Sequence, residues 1–212
     1  MFTNDKNEPY HMPIKRSNSL ITEPKWKSYV VTTLGPVFTP EQCALIIKEA
    51  KSFQPQTAQV GGGRGGKIDA QTRVTTLSWI PYEHEATKPM YETIEREGKK
   101  ANRNHFGFDE VQLNEQAQFT EYPEGGFYDW HMDSDVNMMH EPPVRKISMT
   151  LLLNDPSEFE GGDLELMAPG KFAELKQGHA IIFASFLNHR VAPVTRGVRQ
   201  SLVMWFGGKP FK

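Results

Sequence analysis

The chain has 212 residues, 38% of them hydrophobic and 24% charged, with a formal net charge of −2. That length supports one sizeable core and is short for two ordinary domains. The near-neutral charge leaves no basic footprint for nucleic acid, and no apolar run approaches the roughly 20 residues of a membrane span. Residues 1–19 lack the apolar core of a secretory signal. The one cysteine cannot form an intrachain disulfide, so a cytoplasmic, reducing setting is the expectation.

Residues 1–25 show little apolar periodicity and read as a loosely ordered arm. A single domain is expected over 26–212, with a helical part at 26–109 and a β core at 110–208. Thr39-Pro40-Glu41-Gln42 is a helix start: Thr39 can cap, Pro40 suits the first helical position, and Gln42 completes a capping box. Cys43, Ile46, Ile47 and Ala50 follow at helical spacing and form one buried stripe, with Cys43 as a small core residue. Residues 54–69 form a glycine-rich loop whose Gly61-Gly62-Gly63-Arg64-Gly65-Gly66-Lys67 fits part of a P-loop. Ile68 stands where that pattern needs Ser or Thr, and a strand (Arg73–Ile80) follows instead of a helix, so nucleotide binding is rejected. A second helix is expected over about Lys88–Asn104, capped by Thr87, with Met90, Ile94 and Ala101 inside and a solvated charged face outside.

Beyond Glu110, short strand-like runs alternate with Gly, Pro, Asn and Asp. They are Val111–Tyr122, Phe127–His131, Lys146–Leu153, Asp163–Met167, Ala180–Phe183, Arg190–Val194 and Arg199–Phe206. Strands without intervening helices point to a sandwich or jelly roll, with the earlier helices packed outside it.

His131-Met132-Asp133 is the chemical centre. Residues i and i+2 of an extended chain share a face, so both side chains can converge on one point. An HxD triplet alone is common, and two ligands hold a metal poorly, so a third is expected from a distant strand. His179 and His189 compete for that place. His11, His84, His105 and His140 have bland readings in the arm, in turns or loops, or at a helix end. Two histidines and a carboxylate form the facial triad of non-haem iron oxygenases, which leaves three positions for a bidentate co-substrate and dioxygen. Ten residues after His189 comes Arg199, on a strand whose alternation puts Arg199, Ser201, Val203 and Trp205 on one face. An arginine in an apolar barrel needs a partner, and a bound carboxylate would meet its planar fork. That downstream segment favours His189 as third ligand.

At this point the chain resembles the prolyl 4-hydroxylase-like branch of the iron(II)/2-oxoglutarate dioxygenases, including PKHD-type members. The resemblance runs from about Arg73 to Phe206. Its pieces are Tyr122-Pro123-Glu124-Gly125, then Tyr128 to Ser134 around the HxD strand, Arg145 to Asn154, Glu160-Gly161-Gly162-Asp163-Leu164, His189-Arg190-Val191 with Pro193, Val194 and Gly197, and lastly Arg199 and Trp205. It implies a double-stranded β-helix that uses Fe(II), 2-oxoglutarate and O2, with L-ascorbate as an optional reductant. It also implies that His131, Asp133 and His189 hold the iron and that 2-oxoglutarate chelates it through the 1-carboxylate and keto oxygen. The distal carboxylate would meet Arg199. Tyr122 would bond to the co-substrate, and Ser201, with Ser148 and Thr150, would line the barrel. Tyr128 would lie near iron and substrate, and Arg73, Trp79 and the loops 54–69 and 134–144 would face the substrate. Leu152 departs from the tyrosine common in relatives, and Arg199 from the lysine of collagen-type members.

The expected reaction is hydroxylation of a C–H bond on a peptide or protein substrate, prolyl residues included, with succinate and CO2 as co-products. Hydroxylation of a small molecule and a non-catalytic jelly-roll binder are the alternatives. A zinc hydrolase would need a general base near the metal, for which Asp135 is the weak candidate.

Overall fold

The computed structural model describes residues 29–57, 69–134, 142–167 and 175–211. The expected arm, most of the loops 54–69 and 134–144, and His11, Asp135 and His140 lie outside the described residues.

Helix α1 (Pro40–Ala50) begins with both halves of the capping box. The Gln42 N–H donates to Thr39 Oγ1 (3.3 Å), and the Thr39 N–H donates to Gln42 Oε1 (2.9 Å). These bonds satisfy amides that a helix start otherwise leaves open. Cys43, Ile46 and Ala50 are buried, and burial pushes the Cys43 thiol up to about 11, which keeps it an inert core group. Helix α2 (Lys88–Ala101) differs from expectation at both ends. Thr87 does not cap it, because its hydroxyl donates backward to the His84 carbonyl (3.1 Å). The helix also widens into a π-turn over Asn102–Phe106, which ends where Gly107 takes a left-handed φ of 73°.

Among the described residues the strands, numbered along the chain, form antiparallel sheets. The large sheet runs β1 (Val30–Thr32), β11 (Ala180–Ala184), β8 (Val144–Leu152), β14 (Arg199–Gly208), β6 (Ala117–Tyr122), β4 (Thr76–Ile80) and β2 (Gln56–Thr57), and β5 (Gln112–Leu113) pairs with the end of β14. A smaller sheet runs β10 (Leu164–Leu166), β12 (His189–Val191), β7 (Phe127–His131) and β3 (Arg73–Val74). Strands β9 (Phe159–Gly161) and β13 (Val194–Gly197) form a third pairing. The segment read as mainly helical thus also supplies β1 to β4.

Alternation sorts the two faces of the large sheet. Ile147, Met149, Leu151, Leu202, Met204 and Phe206 join Ile46 and Ile94 in the main core under the helices. Ser201, Val203, Trp205 and Thr150 face the other way and line a cavity that residues of the smaller sheet close from the opposite side. This is the mostly β jelly-roll architecture expected from the sequence, with the helices outside.

Three expected strands are broken. Arg190–Val194 splits because Pro193 has no N–H to donate, so β12 joins the small sheet and β13 pairs elsewhere. Arg73–Ile80 splits at Thr75, whose hydroxyl donates to the Glu121 carbonyl (2.7 Å). Arg73 therefore sits opposite Tyr128 in the small sheet, while Trp79 belongs to the large one. Val111–Tyr122 breaks before Ala117, and within the gap Glu115 pairs with Arg145.

Close approach fixes α2 on the sheet. A Cβ on Gly98 would lie 2.1 Å from Phe206 Cζ, inside the fully buried ring. Gly98→Ala gains roughly 1 kcal/mol of helix propensity but forces overpacking that costs up to about 3 kcal/mol. A net loss of about 2 kcal/mol is expected from urea denaturation, and an unchanged midpoint would contradict this packing.

Candidate metal centre

His131 ends β7 and His189 opens β12, and the two strands pair with these residues opposite each other. Asp133 lies two residues past the end of β7, so its position comes from tertiary bonds and not from strand pleat alone. The Asp133 and Ser134 N–H groups both donate to the Ser185 carbonyl (3.0 Å each). The result brings one ligand atom from each of His131, Asp133 and His189 within 4.8 Å of one another. His131 Nε2 is 3.8 Å from Asp133 Oδ1, and His189 Nε2 is 3.6 Å from Asp133 Oδ2.

The outer ring nitrogens define the tautomers. His131 Nδ1 lies 2.7 Å from the Asp129 carbonyl and His189 Nδ1 lies 3.0 Å from the Leu187 carbonyl. A carbonyl only accepts, so each Nδ1 carries the proton and each Nε2 lone pair faces the cluster. Burial, and then the neighbouring His189, pull His131 down to about 4, so its imidazole is neutral at neutral pH. Burial alone would raise the Asp133 carboxyl, but His189, His131, Arg145 and the Ser148 hydroxyl outweigh it and hold the group below the ordinary carboxylate range. Two imidazole Nε2 atoms and one carboxylate are a donor set that suits a divalent first-row metal such as Fe(II).

His179 is elsewhere: its Nδ1 is 3.3 Å from the Thr33 carbonyl, at the β1 side of the sheet. His84 pairs with Glu49 at 2.9 Å. Among the described residues no other group of three or more His, Cys, Asp or Glu converges in this way.

Ser148 and Ser185 act behind the carboxylate. Ser148 Oγ donates to Asp133 Oδ2 (2.6 Å) and sits 3.0 Å from Ser185 Oγ. A bond of this kind fixes a ligand's orientation, and its loss typically weakens metal affinity about 10- to 100-fold. Ser148→Ala is expected to raise the Kd for Mn(II), measured by calorimetry, within that range. An unchanged Kd would show that the hydroxyl does not orient the carboxylate.

Beside this cluster lies a cavity of about 290 Å³ whose wall includes all three residues together with Tyr122, Tyr128, Arg199, Ser201 and Trp79. Arg199 is 2% exposed. Its Nη1 donates to Ser201 Oγ (2.9 Å), which in turn is 2.7 Å from Thr120 Oγ1. The Tyr122 ring lies 5.6 Å from its Cζ. Among the described residues no carboxylate comes within 4 Å of this guanidinium. Burial pulls its pKa down, only partly offset by Tyr122 and Asp163. An orphaned buried cation of this kind fits an anionic ligand. The Gly161-Gly162 turn closes over it: Gly162 has φ +69°, and a Cβ there would meet Arg199 Cδ at 2.8 Å.

On the other side of the cluster the Tyr128 ring stacks on His131, with centroids 3.5 Å apart, and the Arg73 guanidinium lies 4.3 Å from the Tyr128 ring centre. Trp79 and Trp205 approach to 6.1 Å in the same wall.

The sequence reading missed Arg145 and Glu115, which pair bidentately in the cavity wall while Arg145 stacks on Trp205 at 3.9 Å. Counting by twos from Ser148 and Thr150 would point Lys146 inward. A register shift pairs Phe206 with Ile147 and Gly207 with Arg145, so Arg145 turns in instead. Lys146 reaches the Asp109 carbonyl. Only the bulge distinguishes the two, and no residue pattern announces it.

Comparison with known proteins agrees with this geometry. Residues 117–207 match the model of the 2OG-Fe(II) oxygenase superfamily. A PKHD-type hydroxylase of Acidovorax ebreus is 36% identical over 93 residues, 42% of this chain and 41% of that protein; this match thus spans about two fifths of the relative's length. A PKHD-type hydroxylase of Maricaulis maris is 29% identical over 150 residues, 68% of this chain and 67% of that protein. Among solved structures, a Trichoplax adhaerens prolyl hydroxylase in complex with a hypoxia inducible factor peptide fragment superposes with a TM-score of 0.68 at 15% identity. It covers 84% of this chain and 83% of its own, which shows a shared fold. The converging triad, the buried Arg199 and these matches agree: residues 117–207 carry the pattern of the 2OG-Fe(II) oxygenase superfamily, and the chain is similar in sequence to PKHD-type hydroxylases and in fold to prolyl hydroxylases.

Proposed function

We propose that this protein hydroxylates a C–H bond of a peptidyl residue, prolyl residues included, with Fe(II) and 2-oxoglutarate, releasing succinate and CO2. The observation that carries the reading is the pairing of two features in one cavity: the His131–Asp133–His189 cluster and the buried Arg199, which makes no salt bridge to a described carboxylate. When bound, the metal and co-substrate supply the oxidising chemistry that couples O2 to decarboxylation and C–H hydroxylation.

The chain's own residues bind, orient and shield. His131, Asp133 and His189 would hold the metal on one face. Arg199, steadied by Ser201 and Thr120, would take the distal carboxylate of 2-oxoglutarate, with Tyr122 beside it. The fully buried Phe183 ring stands edge-on to His189 at 4.7 Å. Tyr128, Arg73 and Trp79 form the wall toward the substrate. No side chain has to exchange a proton in this chemistry. A peptidyl substrate is supported by the peptide held by the Trichoplax adhaerens neighbour.

The test is succinate release coupled to 2-oxoglutarate loss, with Fe(II), O2 and ascorbate, across a peptide panel and a metabolite pool. Stimulation by peptides supports the reading in full. Stimulation only by metabolites would replace the substrate class, and no succinate under any condition would overturn the activity.

A further inference from the structure

Arg145 and Arg199 have matched or matchable charges on the proposed reading: Glu115 takes Arg145, and the co-substrate takes Arg199. Asp133 faces the metal. A third arginine of the same wall, Arg73, is left over.

Arg73 is half-buried, and among the described residues no carboxylate lies within 4 Å of it. Its Nε is buried without an acceptor. Its Nη2 donates to Gln118 Oε1 (3.2 Å), and the Tyr128 ring covers one face at 4.3 Å. Nη1 makes no bond to a described residue and is not among the buried unpaired atoms, and Arg73 lines the cavity. The bond to Arg73 also sets the Gln118 amide. Its oxygen faces the guanidinium, which leaves the NH2 as a second donor in the same wall. Arginine and amide N–H groups side by side match the two oxygens of a carboxylate.

We propose that Arg73 and Gln118 form a carboxylate subsite, so that the substrate carries a carboxylate close to the C–H bond that is hydroxylated. The inference rests on the function proposed above and deepens it. The Tyr128 ring that Arg73 covers is itself stacked on His131, so a group held by Arg73 is one ring layer from a metal ligand. Trp79 and Trp205 supply an apolar wall next to it for the hydrocarbon part of the substrate. The carboxylate has two sources: a free carboxyl terminus or amino acid, or an acidic side chain within a peptide.

Paired probes separate these sources. Free L-amino acids are compared with their carboxamides, and peptides carrying Asp or Glu with the same peptides carrying Asn or Gln. The readout is substrate-stimulated succinate release by the metal-loaded protein. The acid member of at least one pair type is expected to exceed its amide in kcat/KM by about 10-fold or more, and the pair type that responds identifies the source. Arg73→Gln is expected to abolish that preference, Arg73→Lys to keep part of it, and Arg73→Glu to reverse it. Thermal unfolding of each variant, with and without 2-oxoglutarate, identifies any that fail to fold, and the wild-type comparison needs no variant. Equal responses to acid and amide, including none to either, would overturn the subsite, as would a preference that survives Arg73→Gln. Stabilisation of the wild type by 2-oxoglutarate alongside equal, measurable responses to acid and amide peptides would overturn the subsite and leave the proposed function standing. Loss of that stabilisation would bring both down.

Discussion

Asp133→Ala is expected to abolish tight Fe(II) binding and to lower succinate release by roughly 1000-fold or more, well beyond what loss of an outer-shell contact produces. Two facing imidazoles would remain, and two ligands hold a divalent ion poorly. The Ser148 hydroxyl would also lose its acceptor. His189→Ala should behave alike, because its Nε2 faces the same carboxylate. His179→Ala should leave metal affinity unchanged, since its ring sits against Thr33 on another part of the sheet. Calorimetric titration with Mn(II) on the three variants reads all of this. A tight site surviving in Asp133→Ala or His189→Ala, or lost in His179→Ala, would contradict the assignment.

Arg199→Met should separate binding from stability with opposite signs. In the free protein the guanidinium is buried with Ser201 as its hydrogen-bond acceptor, and among the described residues no carboxylate lies within 4 Å of it. Removing an uncompensated buried charge in favour of a side chain of similar volume is neutral or stabilising. The metal-loaded variant should therefore melt no lower than the wild type when 2-oxoglutarate is absent. Binding shows the reverse. Truncating one member of a buried charge pair costs about 2–5 kcal/mol, so the KM for 2-oxoglutarate should rise about 100-fold or more. At a co-substrate concentration 100 times Kd the wild type gains about 2.7 kcal/mol of stability, and the variant should gain almost none. A variant that loses stability without ligand and keeps its affinity would show that Arg199 is a structural residue.

Much of the fold was legible because its signals are local. The Thr39-Pro40-Glu41-Gln42 cap, the stripe of Cys43, Ile46 and Ala50, and the alternation along Arg199 to Trp205 each depend on neighbours within a few residues. What escaped depends on partners far along the chain. Thr87 looked like a cap, but its hydroxyl turns back to His84. Pro193 and Thr75 divide apparent strands between sheets. Arg145 enters the wall through a bulge that shifts its register by one residue.

The site divides in the same way. His131, His189 and Arg199 could be named from residue type and spacing. Asp133 could be named too, although its placement relies on Ser185 and Ser148, which lie in two other strands or their ends. The unmatched charge of Arg73 was invisible in sequence. It becomes visible only once Glu115 is seen to take Arg145 and leave Arg73 with an amide.

The most direct test of the account is a crystal structure prepared anaerobically with Fe(II) and 2-oxoglutarate. One metal ion is expected, bonded to His131 Nε2, an Asp133 carboxylate oxygen and His189 Nε2, with the far carboxylate of 2-oxoglutarate against Arg199. Metal bound at other residues, or 2-oxoglutarate oriented away from Arg199, would contradict it.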